Sequence, residues 1–339
     1  VKGEENTLHL SPFLPTKNQL MKKTMKKIIM TLCLIPILGL VACNEDDQFK
    51  GELYKKIIYV LSDDDLIFQS EHALGEESTG YLTLYCGGTE HITQDVTVEM
   101  EPDDELLYEY NYKNFDLNES KYALPLPEEN YDIDDFKTVL RASSPDSYSL
   151  LPIKIRPDGL SPDKQYMISM RIKGVSAFEI NPDKQRVLFN VVLKNDYATM
   201  LNTTYYQTTG RETRHTSAGD MPSSVSVTRI AAPVSKNAIR MFAGTHTYTT
   251  ASVTPEEIDR YAMTVTFNDD HTLTITPYGS IEIEQLGGPE DNYWYIDETL
   301  GHTVLVTTYR YKDEVTVNDA KETCWITMSE TSIRRATTN

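Results

Sequence analysis

The feature that most constrains this chain is a recurrence of short runs rich in β-branched and aromatic residues, separated by turn-forming residues. In the first half they read "KKIIYVL", "GYLTLYC", "DVTVEM", "LLPIKI", "YMISMRI" and "VLFNVVLK"; in the second, "SVSVTRIA", "AIRMFAG", "YAMTVTF", "TLTITPY", "IEIEQL", "YWYI" and "TVLVTTYRY". Such runs favour strands, and turns such as "GGTEH", "RPDGLSPDK" and "NPDKQ" between them indicate an antiparallel sandwich. "TVTFNDDHTLTIT" reads as a hairpin turning at Asn268–Asp269–Asp270–His271. One stretch departs from the pattern: "PDDELLYEYNYKNF", 102–115, has acidic residues ahead of Leu106 and Leu107 and predicts a short helix starting near Asp103 or Asp104. On it Tyr108 and Tyr112 share a face at i, i+4 and are expected to pack. The strand pattern pauses at "NDYATMLN", which puts a boundary near residue 200 between two all-β halves. Beyond it, "TTGRETRHTSAGDMPSS" reads as a long polar loop.

Ahead of the strands lies a different kind of sequence. Lys22, Lys23, Lys26 and Lys27 precede an apolar run that ends in "LGLVACNEDD". A basic n-region, a short apolar h-region and small residues before a processing point make a secretory signal, too short to span a bilayer comfortably. Leu40-Val41-Ala42-Cys43 resembles the bacterial lipobox, which implies diacylglyceryl attachment at the Cys43 thiol, cleavage before it and acylation of the new N-terminus. Two or three acyl chains give stable anchoring where one gives only marginal binding. The organisation expected is therefore an upstream extension called from too early a start (1–20), a lipoprotein signal peptide (21–42), a lipidated cysteine with an acidic tether (43–52), an immunoglobulin-like β-sandwich (53–200) and an antiparallel β domain (201–339). "NEDDQFKGE" suits a solvated tether, and it resembles the acidic export signal of surface lipoproteins of the Bacteroidetes type. An outer-membrane location facing outward follows as an expectation.

The whole chain carries 32 Lys/Arg and 51 Asp/Glu; the segment through Cys43 holds six and two of these, which leaves 26 against 49 and a net charge of −23 beyond it. Such a surface disfavours nucleic acid and anionic lipid as partners. Beyond Cys43 the only cysteines are Cys86 and Cys324, which are expected as buried free thiols rather than a disulfide framework.

Two longer stretches carry a family resemblance. "LLYEYNYKNFDLNESKYALPLPEENYDI" followed by "LSPDKQYMISMRIKGVSAFEINPDKQRVLFNVVLKN" resembles the N-terminal domain, of unknown-function family 1735, of a set of Bacteroidetes lipoproteins. The stretch from about 203 onward, above all "NAIRMFAG" and "TLTITPYGSIEIEQL", resembles the β-rich companion domain of family 4361. The resemblance implies an immunoglobulin-like first domain and a second β-sandwich or β-barrel. It also implies a product of a polysaccharide-utilisation locus, a surface glycan-binding protein working beside an outer-membrane glycan importer. Relatives of the first domain also precede an endo-acting glycosidase barrel, for which the remaining residues here are too few and lack the alternating strand–helix pattern.

Direct signs of enzyme chemistry are missing from the sequence. No G-x-S-x-G, H-E-x-x-H, G-x-x-x-x-G-K or C-x-x-C occurs, and the seven histidines lack metal-ligand spacing. "SDDDLIF" and Asp269–Asp270 lack the glycine-turned loop of a calcium hand and read as solvated turns. No cofactor, metal or catalytic residue is expected. Sugar binding needs an aromatic face beside hydrogen-bonding groups. The densest such cluster is "EDNYWYIDE": Tyr293, Trp294 and Tyr295 beside Asp291 and Asn292, after a Gly287-Gly288-Pro289 loop. In a strand Tyr293 and Tyr295 share one face and Trp294 takes the other. Trp294 is expected to be the exposed stacking ring and Trp325, in "TCWITM", a core residue. The reading is a non-catalytic surface glycan binder, with an adhesion or assembly protein as the alternative and a weak glycoside hydrolase as a third.

Overall fold

A computed structural model describes residues 54–250 and 252–336. The upstream extension, the signal peptide, Cys43 and the tether lie outside the described residues.

Among the described residues the fold is all-β apart from two short α-helices and two single-turn 3-10 helices. In the first half, β1 (Ile57–Val60), β3 (Ser78–Gly87), β8 (Tyr148–Ile155), β6 (Tyr131–Asp132) and β10 (Glu179–Ile180) form one sheet in the order β10-β1-β3-β8-β6. β2 (Ile67–Ala73), β11 (Arg186–Lys194), β9 (Tyr166–Val175), β4 (Val96–Pro102) and β7 (Lys137–Leu140) form the second in the order β2-β11-β9-β4-β7, with β5 (Leu124–Pro125) alongside β9. Strict alternation explains the layering: on β8 every second residue is buried, and Leu151, Ile153 and Ile155 meet Val98, Met100, Met170, Val187 and Phe189 in one core.

β11 breaks the alternation because it is covered on both faces. Leu188 points away from that core and is buried by Leu106 of helix α1 (Asp104–Phe115). Asp103 starts this helix without capping it; its carboxylate instead takes Nε and Nη2 of Arg186 at 2.5 and 3.1 Å. Tyr108 and Tyr112 do not pack as expected. They stack on each other at 6.3 Å and remain 65% and 53% exposed, because the face carrying Leu106, Leu107 and Tyr110 is the one turned to the sheet.

In the second half every strand is antiparallel: β12 (Thr204–Thr216), β13 (Gly219–Ser235), β14 (Ala238–Phe242), β15 (Ala262–Phe267), β16 (Leu273–Pro277), β17 (Ile283–Gln285), β18 (Tyr293–Ile296), β19 (Thr303–Val317) and β20 (Ala320–Arg334). They run β16-β15-β14-β13-β12-β20-β19-β17, with β18 also on β19. The sheet curls into a nearly closed barrel, which decides between the two expected forms. Its seam is sewn by Leu273 N donating to Asn292 O at 3.0 Å and Trp294 N donating to His271 O at 2.9 Å. Gln285 finishes it, with Oε1 accepting from Ile275 N and Nε2 donating to Leu273 O.

The segment read as a polar loop is the β12–β13 hairpin, paired without a break from Thr204↔Ala231 to Thr216↔Gly219. Its polarity has a physical cause: the outer face meets water, and the inner face carries Thr208 and Glu212 into a polar part of the barrel interior. Gly210 lets β12 approach β20, since a Cβ there would sit 2.3 Å from the Ser329 carbonyl oxygen. Helix α2 (Pro255–Tyr261) carries a capping box, Thr254 Oγ1 accepting from Glu257 N and Glu257 Oε2 from Thr254 N.

The two halves form one compact unit. Buried Arg240 of β14 pairs with Asp163 of the first half, which also accepts from the Tyr278 hydroxyl at 2.8 Å. Burial and the neighbouring Asp163 carboxylate push the Tyr278 phenol up to about 12. Asn195 locks the crossing segment, donating to Ser235 O and Ala238 O and accepting from Tyr197 N and Ala198 N. Cys86 and Cys324 are buried and free.

Candidate functional site

The strand β18 sorts the predicted site residues by face. Tyr293 and Tyr295 point outward, 36% and 44% exposed, their rings stacked at 6.2 Å with a 22° interplanar angle. Trp294, expected outside, is turned inward. It lies edge-on to Tyr197 and Phe267 at 5.5 Å and donates through Nε1 to Asn268 O at 3.2 Å. Asn292 is fully buried: Nδ2 donates to Leu286 O and Gly288 O while Oδ1 accepts from Thr308 N. Asp291 accepts weakly from Gly288 N at 3.3 Å and folds against Gly287, whose φ of +75° would strain any other residue. Asp291, Asn292 and Trp294 thus hold the strand and its loop in place, and the rings that reach solvent are the two tyrosines.

The register continues their face across the barrel wall. Tyr295 lies opposite Val304 of β19, which is opposite Ile333 of β20, then Gln207 of β12, then Thr228 of β13. One row over, Tyr293 leads through Val306 and Thr331 to Thr209 and Ser226. Neighbouring strands lie about 4.8 Å apart, so Tyr295 and Gln207 are about 14 Å apart across the wall. At the far side opens a cleft of about 540 Å³. Tyr205 (54% exposed), Asn202, Gln207, Thr228, Ile333 and Arg335 line it, and Arg335 Nη2 donates to Gln207 Oε1 at 3.1 Å. Aromatic rings at both ends can stack on sugar faces; between them Val304, Val306 and Ile333 are aliphatic, and Thr331, Thr209 and Gln207 supply groups that can bond sugar hydroxyls. Tyr205 and Gln207 are absent from the sequence-based candidates. The alternation in "TYYQT" would have placed them on one face, but nothing local ties that face to β18.

Trp325 also differs from expectation. It sits on the outer face of β20, where Arg310 and Lys312 lie over its ring at 4.5 and 5.2 Å from the centroid. Beside it His215 bonds Asp220 at 2.8 Å and Thr327 at 2.9 Å. The run "TCWITM" alternates about Trp325, and its core side chains are Cys324, Ile326 and Met328.

Inside the barrel most polar groups are committed to one another, while Glu212 Oε2 and Arg214 Nε are buried without a hydrogen-bond partner. Arg229, 1% exposed, donates to both oxygens of Glu330 and to Gly244 O, while the Tyr309 hydroxyl donates to Glu330 at 3.1 Å and accepts from Gly244 N at 2.9 Å. Burial works against the Arg229 charge, yet the Glu330 carboxylate overrides it and holds the guanidinium above its ordinary range; burial pushes the Tyr309 phenol far up. Near one end His246 Nε2 meets Asp313 Oδ2 at 2.6 Å. Burial alone would raise Asp313, but the His246 bond and the charges beside it hold its carboxyl below the usual range. Cys324, opposite Asp313 in register, has its thiol pushed up by burial, away from the thiolate a nucleophile needs. Among the described residues no group of three or more His, Cys, Asp or Glu is placed to hold a metal ion, and Asp63 is spent on the backbone N–H groups of Asp65 and Ile67.

This architecture, a two-sheet β domain leading into an antiparallel barrel, is the fold of several solved Bacteroides proteins. Residues 54–179 match a family model of an N-terminal domain, and residues 185–331 match one of a C-terminal domain. Among solved structures the chain is similar to a multidomain protein including DUF1735 from Bacteroides ovatus, with a TM-score of 0.59 at 15% identity over 81% of this chain and 93% of that one. It is also similar to a Bacteroides ovatus protein of unknown function, at a TM-score of 0.61 and 14% identity over 82% and 94% of the two chains. A third is an auxiliary nutrient binding protein from Bacteroides thetaiotaomicron, at 0.53 and 14% over 79% and 90%. At these identities the likeness is one of fold. No curated protein matches the sequence.

Proposed function

We propose that this chain is a non-catalytic glycan-binding lipoprotein, anchored to the outer membrane through Cys43 and facing outward, that captures polysaccharide for an importer. The observation that carries the reading is the outward Tyr293–Tyr295 stack on a barrel wall that continues through Thr331 and Thr209 to the Tyr205–Gln207 cleft. Rings held on paired strands are rigid, so little ordering entropy opposes stacking on a sugar. The nutrient-binding description of one fold relative and the lipobox-like quartet at Cys43 support the same reading. Assembly by strand addition gains no support from the barrel, whose end strands meet across the Gln285 seam. The test is glycan-array binding by a soluble form starting after Asp47, wild type beside Tyr293→Ala/Tyr295→Ala.

A further inference from the structure

The glycan face is cationic on a strongly acidic protein. The chain has a formal net charge of −19, and acids dominate its surface. On the outer wall across β18, β19, β20, β12 and β13 the acids Asp220 and Glu314 are taken up by His215 and Lys321, and Arg310 and Lys312 pair with Glu284 and Glu282 of the β17 edge, which leaves the cations toward the cleft without a carboxylate. The wall's outward residues on β12 are Tyr205, Gln207, Thr209, Arg211, Thr213 and His215, with no acid among them. Arg211 is exposed, and its neighbours in register, Ser224 and Ser329, are uncharged, as are Thr209 and Thr213 along its own strand. No ion pair joins Arg211 to a carboxylate among the described residues. Arg335 is likewise exposed in the cleft, where its partner is the neutral amide of Gln207. Arg334 beside it donates to the Asp196 carbonyl and to Thr303 Oγ1, again neutral groups. Most arginines elsewhere on this surface are paired, as Arg141 is with Asp95, Arg156 with Glu77 and Arg171 with Glu101.

Resting on the glycan reading above, we infer that this face selects carbohydrate bearing carboxylate or sulfate groups, with Arg211 and Arg335 as the charge-reading residues. A guanidinium presents paired N–H donors in a fork that matches a carboxylate or sulfate, and here none of that capacity is spent on a protein carboxylate. Gln207 and Arg211 are four residues apart on one strand, a separation of about 14 Å, so the two arginines stand well apart along the face. An extended polymer with repeated anionic groups can meet both while its ring faces lie on the tyrosines. Elsewhere the negative surface repels such a polymer, which confines it to this wall.

The experiment compares two anionic polymers with neutral polymers of the same backbone: polygalacturonate against its fully methyl-esterified form, and dextran sulfate against dextran. Affinity electrophoresis of the soluble form is run at two salt concentrations, with wild type, Arg211→Gln/Arg335→Gln, and Lys113→Gln/Lys137→Gln as a charge-matched control on another surface. The expected result is retardation by at least one anionic polymer, weakened at least tenfold in the double variant and by high salt, unchanged in the control, with the neutral counterpart bound at least tenfold less. Equal or tighter binding of the neutral forms would overturn the charge selection while leaving glycan binding standing. Binding to anionic polymers that the double variant does not weaken would overturn the assignment to these arginines. Binding to none of the four polymers overturns the inference, and the glycan reading then stands or falls on the tyrosine variant and a wider array.

Discussion

Arg229 and Glu330 face each other inside the barrel, fully buried, with Nη1 and Nη2 donating to the two carboxylate oxygens at 2.5 and 2.7 Å. The pair ties β13 to β20 through the interior, across the strand that separates them. Removing one partner of a buried pair strands the other charge in a poor dielectric, at a cost of about 3–5 kcal/mol. Glu330→Gln is therefore expected to lower the denaturant midpoint strongly, and Arg229→Met/Glu330→Leu to recover most of the loss. Chemical denaturation of the three proteins checks this; a double variant weaker than the single would mean the pair itself stabilises the barrel.

Trp294 separates stability from binding. Its ring packs among Tyr197, Phe267 and His271, so Trp294→Ala is expected to cost about 2–4 kcal/mol, somewhat below a fully buried aromatic. Thermal melts decide: an unchanged melting temperature contradicts the packing described here.

His72 makes stability depend on pH. Burial, and secondarily Lys194, lowers its pKa from 6.5 to about 4; Nδ1 meets Ser78 Oγ at 2.7 Å and Nε2 has no partner. The unfolded chain takes up the proton near pH 6.5 while the folded chain stays neutral until about 4. This contribution is complete above about pH 6.5 and is lost as pH falls from there toward 4, then levels off. Urea midpoints for wild type and His72→Gln between pH 7.5 and 4 should converge across that window. Parallel curves would show that His72 does not titrate this way.

Cys43 carries the anchoring part of the proposal. Cys43→Ala is expected to abolish palmitate labelling and release the protein from membranes, and protease treatment of intact cells to remove the wild-type protein. Continued labelling of the variant, or full protection in cells, counts against the anchor or its outward orientation respectively.

How far the sequence could be read follows from what is local and what is not. Alternation is local, so strands such as β8 and β15 and the pairing of Tyr293 with Tyr295 on one face were visible in the residues alone. Which face becomes core is a tertiary property, and there Trp294, Trp325, Tyr108 and Tyr112 all went against expectation. The β12–β13 hairpin was hidden because Glu212 and Arg214 occupy inward positions where an apolar residue would have marked a strand. Barrel closure rests on backbone bonds between residues distant in sequence, Leu273 to Asn292 and Trp294 to His271, and on the Gln285 side chain, none of which periodicity announces. The candidate face joins β18 to β12 through two intervening strands, and only the register brings Tyr295 and Gln207 into one row.

The central claim is that the outward tyrosines of β18 bind sugar without supporting the fold. The most direct measurement pairs glycan affinity with melting temperature for Tyr293→Ala/Tyr295→Ala, using the best ligand found on the array. Loss of a stacking platform should weaken binding by about 1–3 kcal/mol, roughly five- to 150-fold, while the melting temperature stays within a few degrees of wild type. Undiminished affinity in a variant that melts like the wild type would contradict the account.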